Sequence, residues 1–207
     1  MKQEKLEVIL ATARKLFARY GLKKTNLDEI ARIARVAKGT IYNYFGSKDK
    51  VYLEVLSREV NEILEKVQFS VEQEASPDRK LVSFVFAKFK YMHRAVNILN
   101  LDREGIEKFL PSAETIRDDF FEREINIIAS ILKEGMEKDI FRISNILLTA
   151  RAIGYALRGF EFNWLVQESE ERIEHYLDEL LKLLFFGIMF ENDDMNSDKM
   201  SFSIKTH

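Results

Sequence analysis

Five residues between positions 38 and 44 could do recognition chemistry: Lys38, Thr40, Tyr42, Asn43 and Tyr44, with no carboxylate among them. They offer an ammonium, a hydroxyl with its methyl, a carboxamide and two phenol rings. On a helix, this set falls outward while Ile41 and Phe45 turn inward. Such a helix fits the DNA major groove, where base edges present donors, acceptors and thymine methyls. A Lys reaches guanine acceptors and a Thr methyl meets thymine, which assigns base reading to Lys38, Thr40 and Asn43. Tyr42 and Tyr44 are expected as further DNA contacts. Asn26 and Lys48 flank the set at positions suited to phosphates.

Something must hold that helix at a fixed angle. Residues 27 to 34 read as a short helix before it, with Leu27, Ile30, Ala31 and Ala34 on one apolar face. Asn26 is placed to cap it, and Glu29 stands at capping-box spacing. Val36 is expected to plug the turn, and the second helix should run from about Lys38 to Tyr44. A first helix from about Lys5 to Tyr20 carries Leu6, Ile9, Leu10, Ala13, Leu16, Phe17 and Tyr20 as its buried stripe, and Gly21 suits its C-terminal end. A fourth helix starts after Gly46 with Ser47 as cap and Asp49 in its first turn, and extends to about residue 72. Its free N–H groups and Lys48 would meet a phosphate.

Composition supports one class. The chain has 207 residues, 46% hydrophobic and 32% charged, with only 2 Pro and 8 Gly. With long stretches of helical period, this predicts an all-α protein. There is no Cys, and three His stand far apart at 93, 175 and 207, so no metal site or cofactor is expected. No nucleophile has a positioned His, and no Gly-rich loop could cradle a phosphate, which argues against an enzyme. No signal peptide opens the chain and no apolar run suffices to span a bilayer, so a cytoplasmic protein is expected. Residues 1–50 hold twelve Lys and Arg against five Asp and Glu, net +7. The remainder, 20 basic against 29 acidic, is net −9. A basic module on an acidic body suits nucleic-acid contact at one end.

Ile9-Leu10-x-x-Ala13, Leu16-Phe17, Gly21, Thr25-Asn26-Leu27, Ile30-Ala31, Val36, Lys38-Gly39-Thr40-Ile41-Tyr42, Tyr44-Phe45 and Ser47-Lys48 together resemble the DNA-binding region of the TetR family of bacterial transcriptional regulators. The resemblance covers about the first 55 residues in motif detail. It departs at two places. Arg35 stands where the family usually has Gly, at a cost of about 1 kcal/mol if the residue takes positive φ. Ala37 stands where the family usually has Ser, forfeiting a cap worth about 0.5–2 kcal/mol.

Beyond residue 72 the pattern stays helical. Ser76-Pro77-Asp78 should start a helix, 100–109 a short irregular one, and Ala113 to Lys138 a long one after a break at Pro111-Ser112. Ser144 is expected to cap a helix to about Val166, and Ser169 another to about Phe190. The apolar stripes of these last two are wider than one internal contact needs, which points to a four-helix homodimer interface. Residues 191–207 read as a disordered tail.

The resulting expectation is about nine helices in two domains. Residues 1–47 form a three-helix helix-turn-helix DNA-binding domain. Residues 48–190 form a helical effector-binding and dimerisation domain, with 48–72 as the linking helix. The family resemblance implies an inducer pocket for a small apolar or amphipathic effector in the body. Phe84, Phe89, Met92, Phe109, Phe120 and Phe121 are candidates for its wall, although for any single Phe the core is the commoner role. Arg151, Tyr155 and Arg158 could meet an acidic headgroup, with salt bridging the plainer role for either Arg. The functional expectation is a repressor that binds a palindromic operator in double-stranded DNA and is released by such an effector. The alternative is a site-specific DNA-binding protein controlled by a protein partner.

Overall fold

A computed structural model describes residues 2–92, 94–95, 97–98, 110–167 and 169–188. Among these residues, eight helices and no strand are found. We number them α1 (Lys2–Lys24), α2 (Leu27–Ala34), α3 (Lys38–Phe45), α4 (Lys48–Glu72), α5 (Pro77–Met92), α6 (Pro111–Glu137), α7 (Ile146–Gln167) and α8 (Glu170–Ile188). The fold class is all-α, as the composition predicted. The helix expected over 100–109, Phe109 within it, and the tail lie outside the described residues.

The chain divides into two compact units. One comprises residues 1–67 and 88–124, the other 68–87 and 125–207. In the first, most of the apolar stripes predicted for α1 and α2 is buried: Ile9, Ala13 and Phe17 from one, Leu27, Ile30 and Ala31 from the other, with Ile41 of α3 and Val51, Tyr52, Val55 and Leu56 of α4. At the ends of the α1 stripe, Leu6 is half-buried and Tyr20, next to the bend at Gly21, is exposed. The Phe17 and Tyr52 rings meet edge to face at 4.9 Å, a favoured aromatic geometry. α1 bends where the sequence placed its end. Gly21 sits at φ 76, ψ 169, and three further residues follow before the helix stops. Buried Thr25 donates its hydroxyl to the Gly21 carbonyl at 2.7 Å, which accounts for a polar side chain in this core.

In the second unit, Gly135 lies against Phe141. A Cβ at 135 would fall 2.0 Å from Cδ2 of the ring, so only Gly admits this approach. The Gly135 carbonyl accepts from the N–H groups of Ile140 and Phe141, closing the end of α6. Helices α7 and α8 bury Ala150, Ile153 and Leu157 on one and Ile173, Leu177, Leu181 and Phe185 on the other. The start of α7 corrects a detail. Asn145, not Ser144, caps it, accepting from the Leu148 N–H at 2.9 Å. Both residues are good caps, and one residue of register decides between them. Pro111 likewise opens α6 instead of breaking the chain before it.

Candidate nucleic-acid interface

Asn26 and Arg35 bracket α2. Asn26 has extended backbone and its side-chain oxygen accepts from the Asp28 N–H at 3.0 Å. Arg35 closes the helix in the left-handed conformation, φ 55 and ψ 43, and the Val36 N–H returns to the Ala31 carbonyl at 3.0 Å. An Arg therefore occupies a backbone position that suits Gly, at a cost of about 1 kcal/mol. Val36 is half-buried. Ala37 precedes α3 with extended backbone and no side-chain cap.

In α3, Ile41 is completely buried and Phe45 half-buried. Lys38, Tyr42 and Asn43 are exposed; Thr40 and Tyr44 are half-buried. The outward set read from the sequence is thus presented on one short helix. Gly39 meets no other group, so α3 has open space beside its first turn. The Lys38 ammonium is not loose: it lies 2.9 Å from the Asp28 carboxylate of α2 and 6.0 Å from the centre of the Tyr42 ring. The hydrogen bond to Asp28 holds Lys38 above the usual lysine range.

Ser47 accepts from the Lys50 N–H at 3.2 Å and so caps α4 as expected. Lys48, in the first turn of α4, is engaged within the chain. Its ammonium donates to the carbonyls of Leu22 at 2.8 Å and Thr25 at 3.1 Å. These carbonyls follow the bend at Gly21 and lack helical partners. Lys48 therefore ties the first turn of α4 to the junction of α1 and α2.

A polar cluster ties α1 to residues distant in sequence. Arg14 meets Glu59 at 2.9 Å and Glu62 at 2.9 Å, both on α4. Asn97, itself buried, donates to the Glu59 carboxylate at 2.7 Å and to the Arg14 carbonyl at 3.2 Å. Tyr52 donates to the Asn97 carbonyl at 3.3 Å. Burial pushes the Glu59 carboxyl up, against the pull of Asn97 and Arg14. Glu59 Oε2 and Asn97 Oδ1 are buried without a hydrogen-bond partner.

Of the proposed effector residues, Phe89, Met92, Phe120 and Phe121 are buried in the first unit, and Phe84 is buried in the second. Sequence reasoning missed their most polar company. Lys88 and Glu124 form an ion pair at 2.8 Å with side chains only 1% and 5% exposed, and the ammonium is 6.0 Å from the Phe120 ring centre. On α7, Arg151 and Arg158 are half-buried and Tyr155 is exposed. Among the described residues, no helix is long and apolar enough to cross a membrane.

Comparison with known proteins agrees with this arrangement. Residues 9–55 match the profile of bacterial regulatory proteins of the tetR family. An uncharacterized HTH-type transcriptional regulator of Bacillus subtilis, YhgD, is 22% identical over 79% of this chain and 86% of its own. The fatty acid metabolism regulator protein of the same organism is 21% identical over 90% of this chain and 97% of its own. The crystal structure of the transcriptional regulator FadR from Bacillus subtilis, in complex with stearoyl-CoA, superposes with a TM-score of 0.72 at 19% identity, covering 88% and 98% of the two chains. That likeness establishes the fold. With the helix-turn-helix in place and its motifs at family spacing, residues 9–55 carry the DNA-binding region of the tetR family of bacterial regulatory proteins.

Proposed function

We propose that this chain is a ligand-responsive repressor that binds a palindromic operator as a homodimer and is released by an amphipathic effector. The observation that carries the reading is α3: its polar side chains face out, and the one fully buried residue is Ile41. Lys38, Thr40 and Asn43 read bases, Tyr42 and Tyr44 add contacts, and Asn26 with the first turn of α4 at Lys48 meets phosphates. Affinity then falls steeply with salt. Two readers would enter successive major grooves about 34 Å apart.

Dimerisation is supported by apolar side chains that the chain leaves uncovered. On α7, Leu147, Leu148 and Tyr155 are 53%, 67% and 60% exposed, and on α8, Leu183 is 72% exposed. Gly159 faces open space, so a second helix could approach closely there. For the effector, the relatives favour an acyl chain: one is a fatty acid metabolism regulator and another structure holds stearoyl-CoA. The aromatic and aliphatic side chains around Phe89, Met92, Phe120 and Phe121 suit such a tail. Phe109 is a further candidate for its wall. Phe84, Arg151 and Arg158 belong to the other unit, where core packing for the Phe and salt bridging for either Arg is the plainer role, and Tyr155 lies on the face that a partner would cover.

Native mass spectrometry of the purified protein tests this, with denaturing extraction of whatever is bound. The expected result is a dimer carrying an amphipathic molecule. Stearoyl-CoA, titrated against an operator selected from random duplexes, should weaken DNA binding, and the duplex should weaken stearoyl-CoA by the same factor. A monomer at high concentration would overturn the two-fold reading. A dimer whose operator affinity ignores both the extracted molecule and stearoyl-CoA would overturn the effector reading.

A further inference from the structure

We propose that Asp28 is a specificity-determining residue of the DNA-reading surface: it withdraws the Lys38 charge from phosphates and leaves that ammonium to base edges. The inference rests on the reading of Lys38 as a DNA contact. Asp28 lies in the first turn of α2, where the helix N-terminus favours a carboxylate. The Asn26 side chain holds the Asp28 N–H, which fixes the backbone from which the carboxylate projects. Lys38 lies in the first turn of α3, and the two charges meet at 2.9 Å. Both side chains are about half exposed, so the pair adds little to folding. Its consequence lies in binding.

A phosphate responds to net charge over a Debye length of several ångströms. To such a group, Lys38 and Asp28 together are close to neutral, and every DNA sequence presents the same phosphates. A guanine edge is different. Its O6 and N7 are local acceptors that reward a donor placed at hydrogen-bond distance. An ammonium has three donors; both Asp28 oxygens lie 2.9 Å from Lys38 Nζ, which still leaves at least one donor for such acceptors. The Tyr42 ring beside Lys38 Nζ further limits where the ammonium can go. Asp28 thus lowers affinity for DNA in general more than affinity for the right sequence.

The test compares a duplex selected by the wild-type protein with a random-sequence duplex, over a range of salt, for wild type, Asp28→Asn, Asp28→Glu, Lys38→Met and the double variant Asp28→Asn/Lys38→Met. Asp28→Asn should tighten binding to random duplex about fivefold at 0.15 M salt for each reader engaged, and steepen the salt dependence by about 0.9 in log–log slope. The selected duplex should gain less, so the ratio between the two falls. Asp28→Glu, which keeps the charge, should keep the ratio. With Lys38 replaced, removing the Asp28 charge should shift both duplexes alike. The proposal is overturned if Asp28→Asn tightens both duplexes by one factor in the wild-type background, or still narrows the ratio when Lys38 is gone. Failure of the wild-type protein to select any duplex would instead overturn the DNA-reading assignment, and this proposal with it.

Discussion

Two lysine–carboxylate pairs, almost identical in length, divide the molecule by what surrounds them. Lys38 and Asp28 meet at 2.9 Å with half of each side chain in water, and Lys88 and Glu124 at 2.8 Å with almost none. In water the attraction is screened and cheaply exchanged, so the first pair can open to a partner at little cost. In the interior each charge has lost its hydration, and losing the other is costly. The same chemistry is therefore a pair that can open between α2 and α3 and a constraint between α5 and α6.

The largest effect should come from breaking the buried pair. Glu124→Ala should lower the free energy of unfolding by about 3–5 kcal/mol, since it removes the carboxylate that the buried Lys88 ammonium meets at 2.8 Å. Urea titration measures this, and Lys88→Met/Glu124→Leu should recover most of it. Asp28→Asn, measured the same way, should leave the urea midpoint where it is; a shift comparable to that of Glu124→Ala would erase the contrast. Next in size is Gly135→Ala, whose methyl would meet the buried Phe141 ring. A thermal melt should show a loss of about 1–3 kcal/mol, as for other overpacked sites.

Ala37→Ser should move stability the other way. A hydroxyl there can cap α3, and the melting temperature should rise with a gain of about 0.5–2 kcal/mol and unchanged DNA binding. The smallest effect sharpens the comparison with a pair of mixed character, Arg14 with Glu59, which are 38% and 2% exposed. Burial raises Glu59 above the ordinary carboxylate range. The folded state then binds the proton more tightly than the unfolded chain does. Its stabilising contribution is fully present below the ordinary Glu value and is lost as pH rises through the raised one. Glu59→Gln should remove this component, so the difference in stability between wild type and variant should change with pH across that window. A constant difference from pH 4 to pH 8 would refute it.

Much of the reader was legible because its rules are local. Asn26 capping α2, Ile41 turned inward and Ala37 without a cap follow from residues within four positions of one another; the positive φ of Arg35 was signalled only by the Gly that the family usually has at that place. The long-range polar pairs were not legible as pairs, because Lys88 and Glu124 are 36 residues apart and Arg14 and Asn97 are 83 apart. A signal was nonetheless present. Lys88 falls among Phe84, Val85, Phe89 and Met92, Glu124 among Phe120, Phe121, Ile125 and Ile128, and Glu59 among Val55, Leu56, Val60 and Ile63. Each is a charge within an apolar helical stripe, and each is buried. A charge in that position demands a partner, even where the sequence does not say which. Lys48 was read as a phosphate contact from its helix-start position; its hold on the Leu22 and Thr25 carbonyls depends on the bend at Gly21, which only the fold supplies.

The cluster around Arg14 sets how readers of this kind could be exchanged between proteins. A helix-turn-helix cut away at residue 47 and joined to another body would leave Arg14 behind its seam, without Glu59 and Glu62, and would deprive Asn97 of the Arg14 carbonyl. The transplantable piece is larger than the DNA-reading motif. It includes α4 through Glu62 and the short stretch that carries Asn97, so inheritance of a new operator preference by domain shuffling must carry these residues along or rebuild them at the joint.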